Sequence, residues 1–252
     1  MNVSLLKAII VSCMLTLSSC FFSGPKQYDI EDVSIMRFIN SVPHSQGGIG
    51  SCTGSAVASA AESQLTRFNK NVGKLSSLFL HWNSRNITDF NDYIAAGAAI
   101  AITLDALDRY GVPPESYWQS DIDMQNTKPT FAAYRAAFGV SGIWQYREIT
   151  STDDERVFEF AKELESNNAV VISLKMWKTM HDLKSDEILE ERDDVLESKR
   201  HSMTIVGWSK IKQAFILRNS WGPDWGANGH CYVSTSFVKS SMVTHAWMLK
   251  IR

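Results

Sequence analysis

The chain has 252 residues, of which 44% are hydrophobic, and its side chains carry a formal net charge of −2 at pH 7. A chain of this length and composition buries one sizeable core or two small ones. A charge so close to zero offers no basic surface for nucleic acid, and it does not favour docking on a membrane through charge alone. The composition therefore predicts a globular protein with no nucleic-acid partner.

Residues 1–19 have the pattern of an export signal. Lys7 precedes a short apolar run, and small residues then lead to Cys20. The run is too short to span a bilayer comfortably, so we expect a signal peptide that is removed. Leu17-Ser-Ser-Cys20 also resembles the bacterial lipobox, in which the cysteine is lipidated and becomes the first residue of the mature protein. Ordinary cleavage that leaves a free Cys20 is the alternative.

The lipobox pattern predicts an exported lipoprotein that is anchored to a bacterial membrane through Cys20. In that interpretation, residues 20–39 form a lipidated tether and a segment that leads into the folded part of the chain. Ser23-Gly24-Pro25 breaks regular structure within the tether. We expect one folded domain over residues 40–252.

A glycine-rich turn runs directly into an alanine-rich stretch at Cys52. The stretch has high helix propensity, and the small residues at positions 56, 57, 60 and 61 would form its buried face. A cysteine at a helix N-terminus lies at the positive end of the helix dipole, which lowers the thiol pKa and favours the thiolate. Taken alone, however, such a cysteine is more often a buried structural residue.

Two later motifs change the interpretation of Cys52. His201 opens an apolar run, and Asn219-Ser-Trp221-Gly follows it. Together with Gln46 and Gly50-Ser-Cys52, these motifs resemble those of the papain-like cysteine peptidases, both in sequence and in order. The resemblance is greatest to bacterial members of the family. His201 follows Cys52 by 149 residues and Asn219 follows it by 167, near the separation found in papain and the cathepsins.

The resemblance covers about residues 40–252 and implies an α+β fold of two lobes with the active site between them. The helical lobe would span about residues 45–140, and the β-rich lobe about residues 141–252. The residue patterns agree with this division. Helical patterns begin at Cys52 and recur at 75–81, 95–110 and 131–138, whereas short β-branched or aromatic runs begin at 170, 203, 214 and 231.

The resemblance also implies the roles of the site residues. Cys52 would attack the scissile carbonyl as a thiolate paired with His201, which then protonates the leaving amine. Asn219 would orient the imidazole, and Trp221 would shield their contact from water. Gln46 would donate to the oxyanion together with the backbone N–H of Cys52. The implied substrate is a peptide or protein, and the chemistry needs no cofactor.

The remaining cysteine and histidine residues predict neither a disulfide nor a metal site. Cys231 lies in a strand-like segment, and pairing with Cys52 or Cys20 would abolish the chemistry or the anchor. We therefore expect a buried thiol there. No metal-ligand spacing and no paired cysteine accompany the other histidines, namely His44, His81, His181, His230 and His245.

Residues 182–200 contain eight acidic side chains and neither glycine nor proline. Their few apolar residues lie near a helical spacing, so we expect a solvated surface helix. Because the segment ends beside His201, a lid or an exosite at the active site is the alternative.

Two other functions stay open at this point. One is a thiol amidase or cross-linking acyltransferase that acts on cell-wall peptides with the same scaffold, although the Asn219 motif argues against it. The other is a catalytically idle peptide-binding module, whose groove could be blocked by Arg200 or by the acidic segment. The sequence leaves the cleavage preference and the oligomeric state open.

Overall fold

The structure, a computed structural model, describes residues 26–68, 70, 72–87, 100–183 and 187–252. Its α-helices are α1 (Cys52–Arg67), α2 (Ser77–Ile87), α3 (Ile100–Tyr110), α4 (Phe131–Ala137), α5 (Asp153–Glu165) and α6 (Thr235–Lys239). Its strands are β1 (Val33–Ser34), β2 (Trp144–Glu148), β3 (Ala169–Trp177), β4 (Ile188–Leu189), β5 (Val195–Ser209), β6 (Ala214–Arg218), β7 (His230–Ser234) and β8 (Val243–Ile251). The predicted signal peptide and Cys20 lie outside the described residues.

Helix α1 begins at Cys52, as predicted, and is the central element of the molecule. Its small-residue face is buried, because Ala56, Val57, Ala60 and Ala61 are at most 4% exposed. Small side chains let neighbouring elements approach closely: a Cβ added at Gly54 would lie 2.5 Å from the carbonyl oxygen of a residue in α2. Helix α1 contacts α2 and α3 of the helical lobe, and it also contacts β3 and β5 of the sheet.

The β-rich half is one twisted sheet with the strand order β2-β8-β3-β5-β6-β7-β4, and β1 pairs with β5 outside this path. The pairings are antiparallel except for β4 with β7. Strand β5 is exposed from residue 197 to residue 200 and buried from residue 201 to residue 208. The buried half begins at His201, so this residue lies where the strand enters the core.

The prediction of a surface helix over residues 182–200 is wrong. Among the described residues of this segment, 188–189 form β4 and 195–200 form the start of β5, which is exposed from residue 197. The end of β3 supplies the reason, because Trp177 pairs with Val195 and Lys175 pairs with Arg200 across a bulge. Backbone pairing with an existing strand outweighs the local helical spacing. The exosite alternative stays a hypothesis.

Two further differences concern helices. Helix α5 lies within the stretch that was expected to be β-rich and was not predicted. Helix α4 lies where it was predicted, but Phe131 and Phe138 are 81% and 77% exposed, whereas Ala133 and Ala137 are buried. Its small residues and Tyr134 face the helical lobe, whereas the two phenylalanines do not.

The chain before residue 40 packs on the β-rich lobe. Val33 and Ser34 pair with Trp208 and Gly207 of β5, and Tyr28 is buried at 1% exposure. No helix among the described residues is long and apolar enough to cross a membrane.

Candidate active site

Cys52 lies at the first position of α1, at the contact between the helical lobe and the sheet. A tight turn leads into it, in which Ile49 N donates to Gln46 O at 3.0 Å and Ser51 N donates to Ile49 O at 2.8 Å. Gly47 adopts a φ of +53° in this turn, a conformation that glycine tolerates best. The turn thus places Gln46 and the start of α1 side by side.

Strand pairing brings His201 and Asn219 together. Asn219 directly follows β6, and Arg218 of β6 pairs with Thr204 of β5, three residues beyond His201. His201 Nε2 lies 2.6 Å from Asn219 Oδ1, and both residues are only 3% exposed. The same Oδ1 accepts a hydrogen bond from the backbone N–H of Ser220 at 2.8 Å. Because an amide oxygen only accepts, Nε2 carries the proton, and the other ring nitrogen is left for Cys52.

The environment of Cys52 favours a thiolate. Burial raises the pKa of the thiol, but a hydrogen bond and a charge interaction with His201, a backbone hydrogen bond from Ser202 and a contact with Thr53 together lower it further. The net pKa falls from an ordinary 9.0 to about 7. The Thr53 hydroxyl in turn lies 3.0 Å from that of Ser202, which ties the start of α1 to β5.

Trp221 packs on the imidazole of His201, with ring centroids 4.6 Å apart. The indole also stacks on His181 at 4.0 Å with an interplanar angle of 19°, and it meets Trp225 edge-on at 5.3 Å. His181 was not predicted to lie near the site. It precedes His201 by twenty residues and belongs to no motif, so only the folded chain reveals the contact.

Gln46 is held in place by the residue after Asn219. Its backbone N–H donates to Ser220 O at 2.9 Å, and its side-chain oxygen accepts from the Ser220 hydroxyl. Its amide nitrogen donates one hydrogen to Ile49 O at 2.9 Å, so its second hydrogen stays available. The N–H of Cys52 is likewise without an intrahelical acceptor, since it lies in the first turn of α1.

A buried polar network lies behind the site. Glu62 of α1 is fully buried and accepts hydrogen bonds from the backbone N–H groups of Asn40 and Ser41, each at 2.8 Å, and from the Ser41 hydroxyl at 2.6 Å. Arg218 donates to the carbonyl oxygen and the hydroxyl of Ser41 at 2.9 and 3.1 Å. The network joins α1, the chain ahead of Gln46 and the strand ahead of Asn219. No motif in the sequence indicated it.

The two described cysteines differ strongly. Cys231 is 1% exposed and its thiol is unpaired, and burial raises its pKa. Its location in β7 agrees with the expected buried thiol. Within the described part of the chain, no group of three or more His, Cys, Asp or Glu side chains is placed to hold a metal ion.

Comparison with known proteins places the chain in a family. The model of the papain family cysteine proteases matches residues 24–249. A peptidase C1-like protein of Acanthamoeba polyphaga mimivirus is 26% identical over 235 residues, which cover 88% of this chain and 75% of the viral protein. Peptidase 1 of Dermatophagoides pteronyssinus is 25% identical over 221 residues, and the chain spans 64% of its length.

Solved structures show the same architecture. Xylellain, a cysteine protease from Xylella fastidiosa, has a TM-score of 0.73 at 23% identity and covers 89% of this chain, with 90% of its own chain matched. Digestive procathepsin L 3 of Tenebrio molitor has a TM-score of 0.68 at 18% identity, over 90% of this chain and 71% of its own. These similarities confirm the predicted two-lobed α+β fold. The chain belongs to the papain family of cysteine proteases and is therefore a hydrolase.

Proposed function

We propose that this protein is an exported, lipid-anchored cysteine endopeptidase that uses Cys52, His201, Asn219 and Gln46. The observation that carries the proposal is the buried imidazole of His201, whose Nε2 lies 2.6 Å from the amide oxygen of Asn219. The same imidazole helps to lower the pKa of the Cys52 thiol to about 7. A peptide bond is the substrate that such a set attacks.

In the first half of the reaction, the Cys52 thiolate attacks the scissile carbonyl carbon. The carbonyl oxygen takes up the negative charge, and the free hydrogen of the Gln46 amide and the N–H of Cys52 stabilise it. When the intermediate collapses, the C–N bond breaks and His201 gives its proton to the leaving amine. The acyl group stays on Cys52 as a thioester.

In the second half, water attacks the thioester and His201 accepts a proton from it. The C–S bond breaks, the carboxylic acid leaves, and the thiolate–imidazolium pair is restored. Asn219 holds the ring in the orientation that both proton transfers require. Trp221 covers the His201–Asn219 contact, and excluding water from it strengthens that hydrogen bond.

The position of Arg200 supports a working site over an idle binding module. Arg200 is exposed, and its guanidinium donates to the carbonyl oxygens of Glu197 and Lys199 at 2.6 and 3.2 Å. The side chain thus folds back on its own strand. Nothing in these contacts directs it toward Cys52.

The experiment that tests the function is cleavage of a peptide library by the purified protein, with and without prior labelling by an epoxide thiol probe. Cleavage that the probe abolishes, with one equivalent of label on Cys52, is the expected result. Muropeptides serve as the second substrate set. Turnover of muropeptides without cleavage of library peptides would establish the amidase instead.

The anchoring part of the proposal rests on residues 7–20, which lie outside the described residues. The described chain starts at Lys26, which forms an ion pair with Asp154 of α5. A lipid on Cys20 would therefore attach to the β-rich lobe through a short tether.

A further inference from the structure

A cavity of about 540 Å³ opens beside the turn that carries Gln46. Ser45 forms one wall, and residues 72–74, 114–116 and 119–120 of the helical lobe contribute the rest. Most of the side chains around it are polar, including those of Lys74, Glu115, Ser116, Gln119 and Ser120. The mechanism above uses none of them.

The walls of this cavity are held by the fold and do not depend on a ligand. Glu115 N donates to Lys74 O at 2.7 Å, and the two side chains form an ion pair at 2.9 Å. Leu75 and Pro114 form an isolated β-bridge. The Ser120 hydroxyl lies 2.8 Å from that of Ser77 at the start of α2. The volume of this cavity lies within the range of ligand-binding pockets, but its lining is more polar than is usual for them.

The cavity is connected to the active site through Ser45. This residue precedes Gln46 and forms an isolated β-bridge with Trp221, whose indole packs on His201. In the proposed reaction His201 protonates the leaving amine, so the substrate residues after the scissile bond depart on the Trp221 side. Ser45, which forms one wall of the cavity, is paired with Trp221 on that side.

We propose that this cavity is a subsite for the substrate residues that follow the scissile bond, and that it selects polar side chains there. The inference rests on the proposed peptidase function. Hydroxyl and amide groups of Ser45, Ser116 and Gln119 offer hydrogen bonds to a polar side chain. An apolar side chain would instead displace water from these groups and from the Lys74–Glu115 pair. Because it offers no hydrogen bonds in place of those to water, its binding would be disfavoured. A site that is built to form hydrogen bonds discriminates against ligands that lack them.

The test compares two internally quenched peptides that are identical up to the residue after the scissile bond. One then continues with Ser and Gln, and the other with Val and Leu. A third substrate ends in a fluorogenic amide and has no residue beyond the cleaved bond. We expect the wild-type protein to cleave the polar peptide with a kcat/KM about tenfold above that of the apolar peptide.

The variant that closes the cavity is Ser116→Trp, because Ser116 is exposed and belongs to the lining. Its matched control is Ser166→Trp, at an exposed serine that follows α5. Ser116→Trp should reduce the polar preference to within about twofold and leave the fluorogenic amide unaffected. Gln119→Trp is the second variant, should Ser116→Trp melt early.

Two outcomes overturn the subsite while leaving the peptidase function intact. One is equal cleavage of both peptides by the wild-type protein, and the other is an unchanged preference in both cavity variants. Failure of the wild-type protein to cleave the fluorogenic amide and both peptides overturns the peptidase function and the subsite together.

Discussion

Arg218 donates a hydrogen bond to the carbonyl oxygen of Ser41 at 2.9 Å, across 177 positions of the sequence. Arg218 directly precedes Asn219, whereas Ser41 lies on the segment that leads to Gln46. The same Ser41 binds the buried carboxylate of Glu62. One buried network therefore positions both Asn219, the residue proposed to orient His201, and the turn that holds Gln46, the proposed oxyanion donor.

We predict that Arg218→Met destabilises the protein by about 1.5–3 kcal/mol, because it removes the hydrogen bonds of Arg218 to Ser41 and the positive charge that favours the ionised form of the buried Glu62. Thermal melting measures the effect, with the exposed Arg135→Met as the control. Burial already raises the pKa of Glu62 above its ordinary 4.5, while Ser41 and Arg218 oppose the shift.

The pH dependence of that variant follows from the sign of the shift. A carboxyl whose pKa is raised by folding costs no stability below its unfolded pKa of 4.5, and it costs stability as pH rises through the folded pKa. The loss in Arg218→Met should therefore grow from acidic to neutral pH, and adding Glu62→Gln should restore much of it. The network is contradicted if Arg218→Met loses the same stability at acidic and at neutral pH and if adding Glu62→Gln restores none of it.

The sequence motifs indicated which residues the fold brings together because each motif is local. Neighbouring residues in the sequence are enough to indicate each position: Cys52 at the start of a helix, His201 at the start of a buried strand, and the Asn219 motif. Ser41, Glu62 and Arg218 have no such signal, since a serine, a glutamate and an arginine far apart in sequence become partners only when the lobes pack together.

The same distinction explains the errors in secondary structure. Residues 195–200 are strand because β3 pairs with them, and no property of the acidic segment itself encodes that partner. Likewise the exposure of Phe131 and Phe138 depends on which face of α4 meets the helical lobe. Local periodicity predicted the helix but not its orientation.

We predict that Cys52→Ser abolishes peptide cleavage and leaves the melting temperature unchanged within about 2 °C. Serine has nearly the size of cysteine but lacks an acidic thiol, so the fold survives and the nucleophile does not. Cys231→Ser is the control: it should retain activity and lose some stability, because a hydroxyl there is buried in the core. Cleavage retained by well-folded Cys52→Ser refutes the assignment.

The reactivity of Cys52 toward iodoacetamide should rise with pH through about 7, since the thiolate is the reacting species. In His201→Ala the main group that lowers the pKa of Cys52 is lost while burial still raises it, so the midpoint should move upward from about 7. Mass spectrometry of the alkylated peptides locates the label and separates Cys52 from Cys231. An unchanged midpoint in His201→Ala would falsify the proposed thiolate–imidazolium pair.

Anchoring is tested with Cys20→Ala in the full-length protein expressed in bacteria. We expect the variant to leave the membrane fraction and to cleave peptides at the wild-type rate, because Cys20 takes no part in the chemistry. One acyl chain binds membranes only weakly, so the wild-type N-terminal peptide should carry more than one chain by mass spectrometry. A wild-type protein that is soluble and has no acylated peptide rules out the anchor.

The last prediction concerns Gln46, whose free amide hydrogen is assigned to the oxyanion. Gln46→Ala should lower kcat by about 10²–10³, the usual effect of removing one such donor, with little change in KM. The thiol should still react with iodoacetamide near the wild-type pH midpoint, because burial, His201, Ser202 and Thr53 account for the pKa of Cys52. Ser220→Ala provides a graded control: it removes the hydroxyl that holds the Gln46 oxygen but keeps the donor, so a smaller loss is expected. If Gln46→Ala instead shifts the alkylation midpoint, or if it costs no more than Ser220→Ala, then Gln46 acts through the packing of the turn and not through the oxyanion.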